Sequence, residues 1–169
     1  MEGSAVRRVV GWVFLVLGVA FGAAQLYRPD MSNPSADKSK DVSADLGPDS
    51  AIAPLLRRAC YDCHSSETRW PWYSSIAPAS WLVASDVHGA RHHLNFSLWG
   101  DYSVHKKLGA LDHIREEISS GDMPPSTYAF MHPGALLDSG ERDTILVWTE
   151  KELRAAGEQP SSGKPADGN

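Results

Sequence analysis

"CYDCHSSETRWPWY", residues 60–73, holds the only two cysteines of the 169-residue chain, with a histidine directly after the second. Two thiols and an imidazole packed this tightly admit four kinds of chemistry. A zinc site needs four ligands, usually from two separated pairs; here one pair exists, and His88, His92 and His93 are its nearest complement. A redox dithiol would use a depressed thiol pKa, but the βαβ surroundings of a thioredoxin-like motif are missing. A structural disulfide between Cys60 and Cys63 would close a very short loop and constrain the unfolded chain little. The fourth reading explains all three residues. Cysteines at i and i+3 of one helical turn face the same way, so each can add to a vinyl group of one porphyrin. His64 then lies under the iron as an axial ligand. C-x-x-C-H is the attachment signature of c-type haem.

That chemistry takes place outside the cytoplasmic membrane, and the N-terminus provides a route there. Arg7 and Arg8 precede an uncharged apolar run, Val9 to Tyr27. A basic flank before such a run marks an export signal or a membrane anchor, and the run is about as long as the roughly 20 residues that span a bilayer. Its length favours an uncleaved anchor over residues 9–27, while Gly22-Ala23-Ala24 resembles a signal-peptidase site and keeps a cleaved signal peptide open. The two arginines hold residues 1–8 in the cytoplasm and place the remainder across the membrane. Residues 28–50 contain few large apolar side chains and many Ser, Asp and Pro, the composition of a flexible linker. Residues 157–169 read as a disordered tail on the same grounds. The folded domain is expected over residues 51–156. The formal net charge of −5 argues against a nucleic-acid partner, which would need a basic face. It leaves room for a basic protein partner.

Helical signals dominate the folded region. "AIAPLLRRAC" can start a helix, with Pro54 in its first turn. "PASWLVASDVHGAR" sets Trp81, Leu82 and Ser85 at helical spacing. "VHKKLGALDHIREEISSG" lines Leu108, Leu111, Ile114, Arg115 and Ile118 on one stripe, stopped by Gly121. "DSGERDTILVWTEKELRAAG" offers Asp138 or Ser139 as cap, then Ile145, Trp148 and Glu152 at helical period, with Gly157 as its stop. No segment alternates convincingly as a strand. The expected fold is all-α, with four or so helices joined by Pro-rich ordered loops around one haem.

A haem iron has a sixth position. Met123 is the leading candidate: it follows the stop at Gly121, and Pro124-Pro125 stiffens what comes after it. The lesser alternative is a simple loop contact. Met131 and His132, then His88, His92, His93, His105 and His113, are the other candidates. The aromatics Trp70, Trp72, Tyr73, Trp81 and Trp99 are mostly core, since a porphyrin needs apolar walls. Arg69 and the polar tips of Trp70, Trp72 and Tyr73 are candidate partners of the haem propionates, and His92-His93 is a capping or propionate-contact candidate.

These stretches, together with "SSGDMPP" and "HPGALLDSGERDTILVWTE", resemble the bacterial haem-binding domain family, which is similar to small monohaem c-type cytochromes. The likeness runs from about Ala51 to Glu152. It implies covalent haem c on Cys60 and Cys63, His64 as proximal ligand, and a cytochrome c-like packing in which the helix entering Cys60 crosses the C-terminal helix near Trp148. Met123 matches the methionine of the M-P segment in such cytochromes. The functional expectation is a membrane-tethered, periplasm-facing electron carrier of the bacterial inner membrane with an unidentified redox partner protein. A soluble periplasmic form would follow from signal cleavage. No acid–base pair or nucleophile stands out, so an electron carrier is expected rather than an enzyme. The alternatives are a haem-based gas sensor or peroxidase-like enzyme with an open iron site, and a haem-free thiol-disulfide oxidoreductase.

Overall fold

The computed structural model describes residues 2–48 and 50–157. Among the described residues eight α-helices follow one another: α1 Glu2–Ala24, α2 Val42–Leu46, α3 Ile52–Ala59, α4 Tyr61–His64, α5 Ala79–His93, α6 Val104–Ser120, α7 Ser126–Met131 and α8 Ser139–Gly157. Single 3₁₀ turns lie at Lys38–Lys40, Trp72–Ser75, Phe96–Asp101 and Pro133–Ala135. The architecture is all-α, as the periodicity implies, and no strand occurs among the described residues.

The core forms where α6, α8 and α3 meet. Leu111 and Ile118 of α6 pack with Ile145 and Trp148 of α8, and Ile52 and Leu56 of α3 join the same cluster. The helix entering Cys60 therefore does pack on the C-terminal helix near Trp148, and the Arg58–Glu141 ion pair ties the two together. Both long helices have defined ends. Ser103 Oγ accepts the Lys106 amide at the start of α6, and Gly121, at φ +83, stops it in a left-handed conformation that suits a residue without Cβ. At the head of α8, Asp138 Oδ1 accepts the Glu141 amide while Glu141 Oε2 accepts the Asp138 amide. This reciprocal pair satisfies two backbone donors. The inward row of α8 is Ile145, Trp148 and Thr149; Glu152 is exposed and lies outside it. Gly157 is the last described residue of α8, so its expected role as the stop and the expected disordered tail beyond it lie outside the described residues.

Two expectations change. The first concerns α5. Its buried face is Ser80, Ala84 and Val87, whereas Trp81, Leu82 and Ser85 are exposed. Small residues face inward because α5 lies close to the turn that carries the cysteines, and the large apolar side chains are left outside.

The second concerns residues 28–50, which are not a free linker. From Gln25 the chain runs along α5: Gln25 bonds Ala77, His88 bonds the Asp30 carbonyl, and Arg91 bonds Ser32 and Asn33. It then crosses to the Phe96–Asp101 turn, where Lys40 pairs with Asp101 at 2.6 Å. Asp41 caps α2, and Val42 enters the core at 1% exposure. Composition misleads here because the segment is held by polar side chains and backbone carbonyls, with Val42 as its one deep apolar plug. The folded unit thus begins well before Ala51. A single strap, residues 25–46, wraps the domain.

Candidate functional site

The C-x-x-C-H motif is Cys60, where α3 ends, followed by the single turn of α4. The backbone breaks at Cys60, with φ −123 and ψ −34, yet its carbonyl still accepts the amides of Cys63 at 3.1 Å and His64 at 2.8 Å. The motif residues thus share one helical turn. The two thiols are not bridged. Burial, with the neighbouring Cys63 as a second cause, pushes the Cys60 thiol up to about 12. Burial and the Asp62 carboxylate push Cys63 up to about 11. A reactive dithiol relies on the opposite shift, towards a thiolate at neutral pH.

His64 is held in one orientation. Its Nδ1 lies 3.2 Å from the Leu94 carbonyl oxygen. A carbonyl only accepts, so Nδ1 carries the proton and Nε2 keeps its lone pair. This arrangement fixes the ring of a metal-ligating histidine. Burial lowers the His64 pKa, which favours the neutral imidazole that binds metals. Phe96 meets the ring edge-on, with centroids 6.3 Å apart, and stacks on Tyr61 at 5.6 Å. Tyr61 donates its hydroxyl to Asp41 Oδ1 at 2.6 Å, so the strap reaches the residue beside Cys60.

The other side of the turn carries a polar cluster. Asp62 accepts from the Arg69 side chain at 3.2 Å and from the Tyr128 hydroxyl at 2.9 Å. Tyr128 stacks on His132 with centroids 4.2 Å apart, and His132 faces Tyr73 at 6.1 Å. Next to Tyr73, the Trp72 ring is 74% exposed.

Met123 lies just past the end of α6. Its amide and that of Asp122 both donate to the Glu117 carbonyl, and its half-buried side chain packs on the core cluster. Met131, on α7, is exposed. His88, His92, His93, His105 and His113 are also exposed. His132 is half-buried, with Nδ1 3.1 Å from the Tyr128 carbonyl oxygen.

One further observation fits a haem. The Trp70 indole Nε1–H is buried and finds no acceptor. An orphan buried donor is rare, and a carboxylate such as a propionate would satisfy it. Arg91 is unsuited to that role, because its guanidinium is committed to Ser65, Ser32, Asn33 and Thr68. For zinc, no group of three or more His, Cys, Asp or Glu side chains that could hold an ion occurs among the described residues.

Sequence reasoning missed the Leu94 carbonyl, the Asp41–Tyr61 bond and the Asp62–Tyr128 bond. The first is a backbone group with no side-chain signature. The other two join residues 20 and 66 positions apart, beyond the reach of local spacing. No curated protein and no solved structure matches the chain. The family model of the haem-binding domain matches residues 19–151, a span that takes in the strap, the C-x-x-C-H turn, Met123 and most of α8. The chain belongs to the haem-binding domain family.

Proposed function

We propose that the chain is a membrane-anchored monohaem cytochrome of the c type, facing the periplasm and carrying single electrons. Cys60 and Cys63 would hold the haem through two thioethers, and His64 Nε2 and Met123 Sγ would ligate its iron. Bound there, haem provides a one-electron iron couple. The observation that carries this reading is the turn itself: two half-buried, unbridged thiols and a His64 whose Nδ1 is tied to Leu94. The protein's own part is to exclude water with Phe96 and Tyr61, to hold the His64 ring in one tautomer, and to offer the Trp70 donor to a propionate. Methionine–histidine ligation gives a higher potential than two histidines and leaves no open coordination position for a substrate.

One observation favours a second reading of the sixth position. His132 has its Nδ1 on a backbone carbonyl, as His64 does, so its Nε2 is also free. Optical spectra of Met123→Ala, His132→Ala and Met131→Ala separate the two. With Met123 as ligand, the oxidised wild type has the weak far-red sulfur-to-iron band and the reduced form resists CO. Met123→Ala then loses the band, lowers the potential and admits CO while the haem stays attached; the other two variants change little. A wild type without the band, whose resistance to CO is lost only in His132→Ala, identifies His132. A wild type that binds CO freely sinks electron transfer in favour of a gas-binding or peroxidase-like site.

A further inference from the structure

α1 holds a 20-residue stretch, Ala5–Ala24, long and apolar enough to cross a membrane, and none of it is buried in the protein. The chain does not swing free after it. Gln25, the next residue, makes two bonds to one residue at the entrance to α5: its Oε1 accepts the Ala77 amide at 2.9 Å and its Nε2 donates to the Ala77 carbonyl at 3.2 Å. Two residues on, the Tyr27 carbonyl accepts from Trp81 Nε1 at 3.2 Å, and the two rings meet edge-on at 6.1 Å. The Asp30 carbonyl then lies 2.8 Å from His88 Nε2, and Ser32 and Asn33 bond Arg91. The strap therefore climbs α5 from its first turn to its last. At about 1.5 Å per residue, the end of α5 stands roughly 20 Å from the end of α1, and the start of α5 stands beside it.

The surface at that near end is apolar. Leu82 is 65% exposed, its chain neighbour Trp81 and the Tyr27 that meets Trp81 are exposed, and so are Leu26, Ile76 and, on the turn that precedes α5, Trp72. A lone exposed apolar residue needs no explanation, but a group of them marks a contact surface. Here the position names the occupant, because the patch is continuous with the membrane-spanning helix. Tryptophan and tyrosine are the side chains that gather at the membrane–water boundary.

We propose that the haem domain seats directly on the lipid surface, with Leu82, Ile76 and Trp81 dipping into the interface beside the exit of α1. This rests on the reading of α1 as an uncleaved anchor. The strap then acts as a rigid stay rather than a tether, and the haem turn keeps one orientation and one height above the bilayer. A partner embedded in the same membrane would meet it without a search by a loose domain.

The test uses the full chain in vesicles of phosphatidylethanolamine and phosphatidylglycerol. A ketone-bearing amino acid placed at position 82, 147 or 16 and coupled to a hydroxylamine nitroxide avoids Cys60 and Cys63. An unchanged haem spectrum verifies each fold. Collisional relaxation by oxygen, which partitions into lipid, is compared with that by a water-soluble nickel chelate. The seat requires position 82 to behave like position 16, open to oxygen and shielded from nickel, while position 147 on α8 shows the reverse. If 82 matches 147 while 16 stays lipid-exposed, the seat is wrong and the anchor stands. If 16 also matches 147, the anchor reading fails and the seat with it. A nitroxide at 82 shielded from both reagents reports a protein contact and equally overturns the lipid surface as occupant.

Discussion

Tyr61 stands between two systems. Its ring stacks on Phe96, which borders His64, while its hydroxyl ends on Asp41 of the strap. Burial, then the hydrogen bond to Asp41, raises its pKa well above the usual phenol value. The folded state therefore keeps the phenol neutral where the unfolded chain, with its ordinary value of 10.0, ionises. Its contribution to stability is complete below pH 10 and is lost as pH rises towards the folded pKa, with a slope of up to about 1.4 kcal/mol per pH unit for one proton. Tyr61→Phe is expected to cost about 1.5–3 kcal/mol at neutral pH, through the lost bond to a buried carboxylate. It should also flatten the stability loss above pH 10. Denaturant titrations followed at the haem band, at neutral pH and above pH 10, check both parts; equal losses for wild type and variant across the alkaline range would contradict the assignment. At this scale the sequence makes the candidate ligand set readable, because C-x-x-C-H is a spacing. It hides what positions that set, because the Leu94 carbonyl has no residue type and Asp41 lies in a stretch whose composition reads as linker.

The elements separate cleanly into those that local chemistry specifies and those that packing specifies. α6 and α8 follow from their periodicity and their ends: Gly121 stops one, and the Asp138–Glu141 pair opens the other. α5 exists as its spacing implies, but the large side chains that suggest its inward face are the ones left outside. Nothing in the local pattern reveals that Ser80 and Ala84 are buried, since that is set by the approach of a neighbouring turn. The strap shows the same limit. Where it crosses the Phe96–Asp101 turn, a Cβ on Gly100 would lie 2.9 Å from Lys40 Cα and 3.2 Å from the Lys40 carbonyl oxygen. Both neighbours are backbone, so neither can step aside without moving the strap. Gly100→Ala is therefore expected to cost about 1–3 kcal/mol, the range for overpacking. It should loosen the Lys40–Asp101 pair and open Lys38 and Lys40 to trypsin. Limited proteolysis with mapping of the first cut tests this; an unchanged rate and melting temperature would mean that the strap has slack at that crossing.

For the whole molecule, the boundary of the folded unit decides what can be removed. Composition places it at Ala51. The structure places Val42 in the core and Asp41 on Tyr61, and the family match begins at residue 19. α1 contributes nothing to that core: Val42 is the most N-terminal residue of the cluster, and the bonds from Gln25 to Ala77 and from Trp81 to Tyr27 are at the rim. A chain beginning at Arg28 behind an ordinary cleavable signal is therefore expected to be exported, soluble and haem-loaded, with a modest loss of stability. A chain beginning at Ala51 loses Val42, the Asp41–Tyr61 bond and every strap contact to Arg91. Burying a side chain of that size is worth about 1.5–3 kcal/mol, and a bond to a charged group roughly 1.5–3 kcal/mol more. Set against the total stability of a small domain, about 5–15 kcal/mol, that is a large share, so this chain is expected to accumulate poorly and to hold little haem. The two chains compared by yield, haem content and melting temperature give the answer. Equal haem loading would return residues 28–50 to the role of linker. A failure of both would make α1 itself part of the fold.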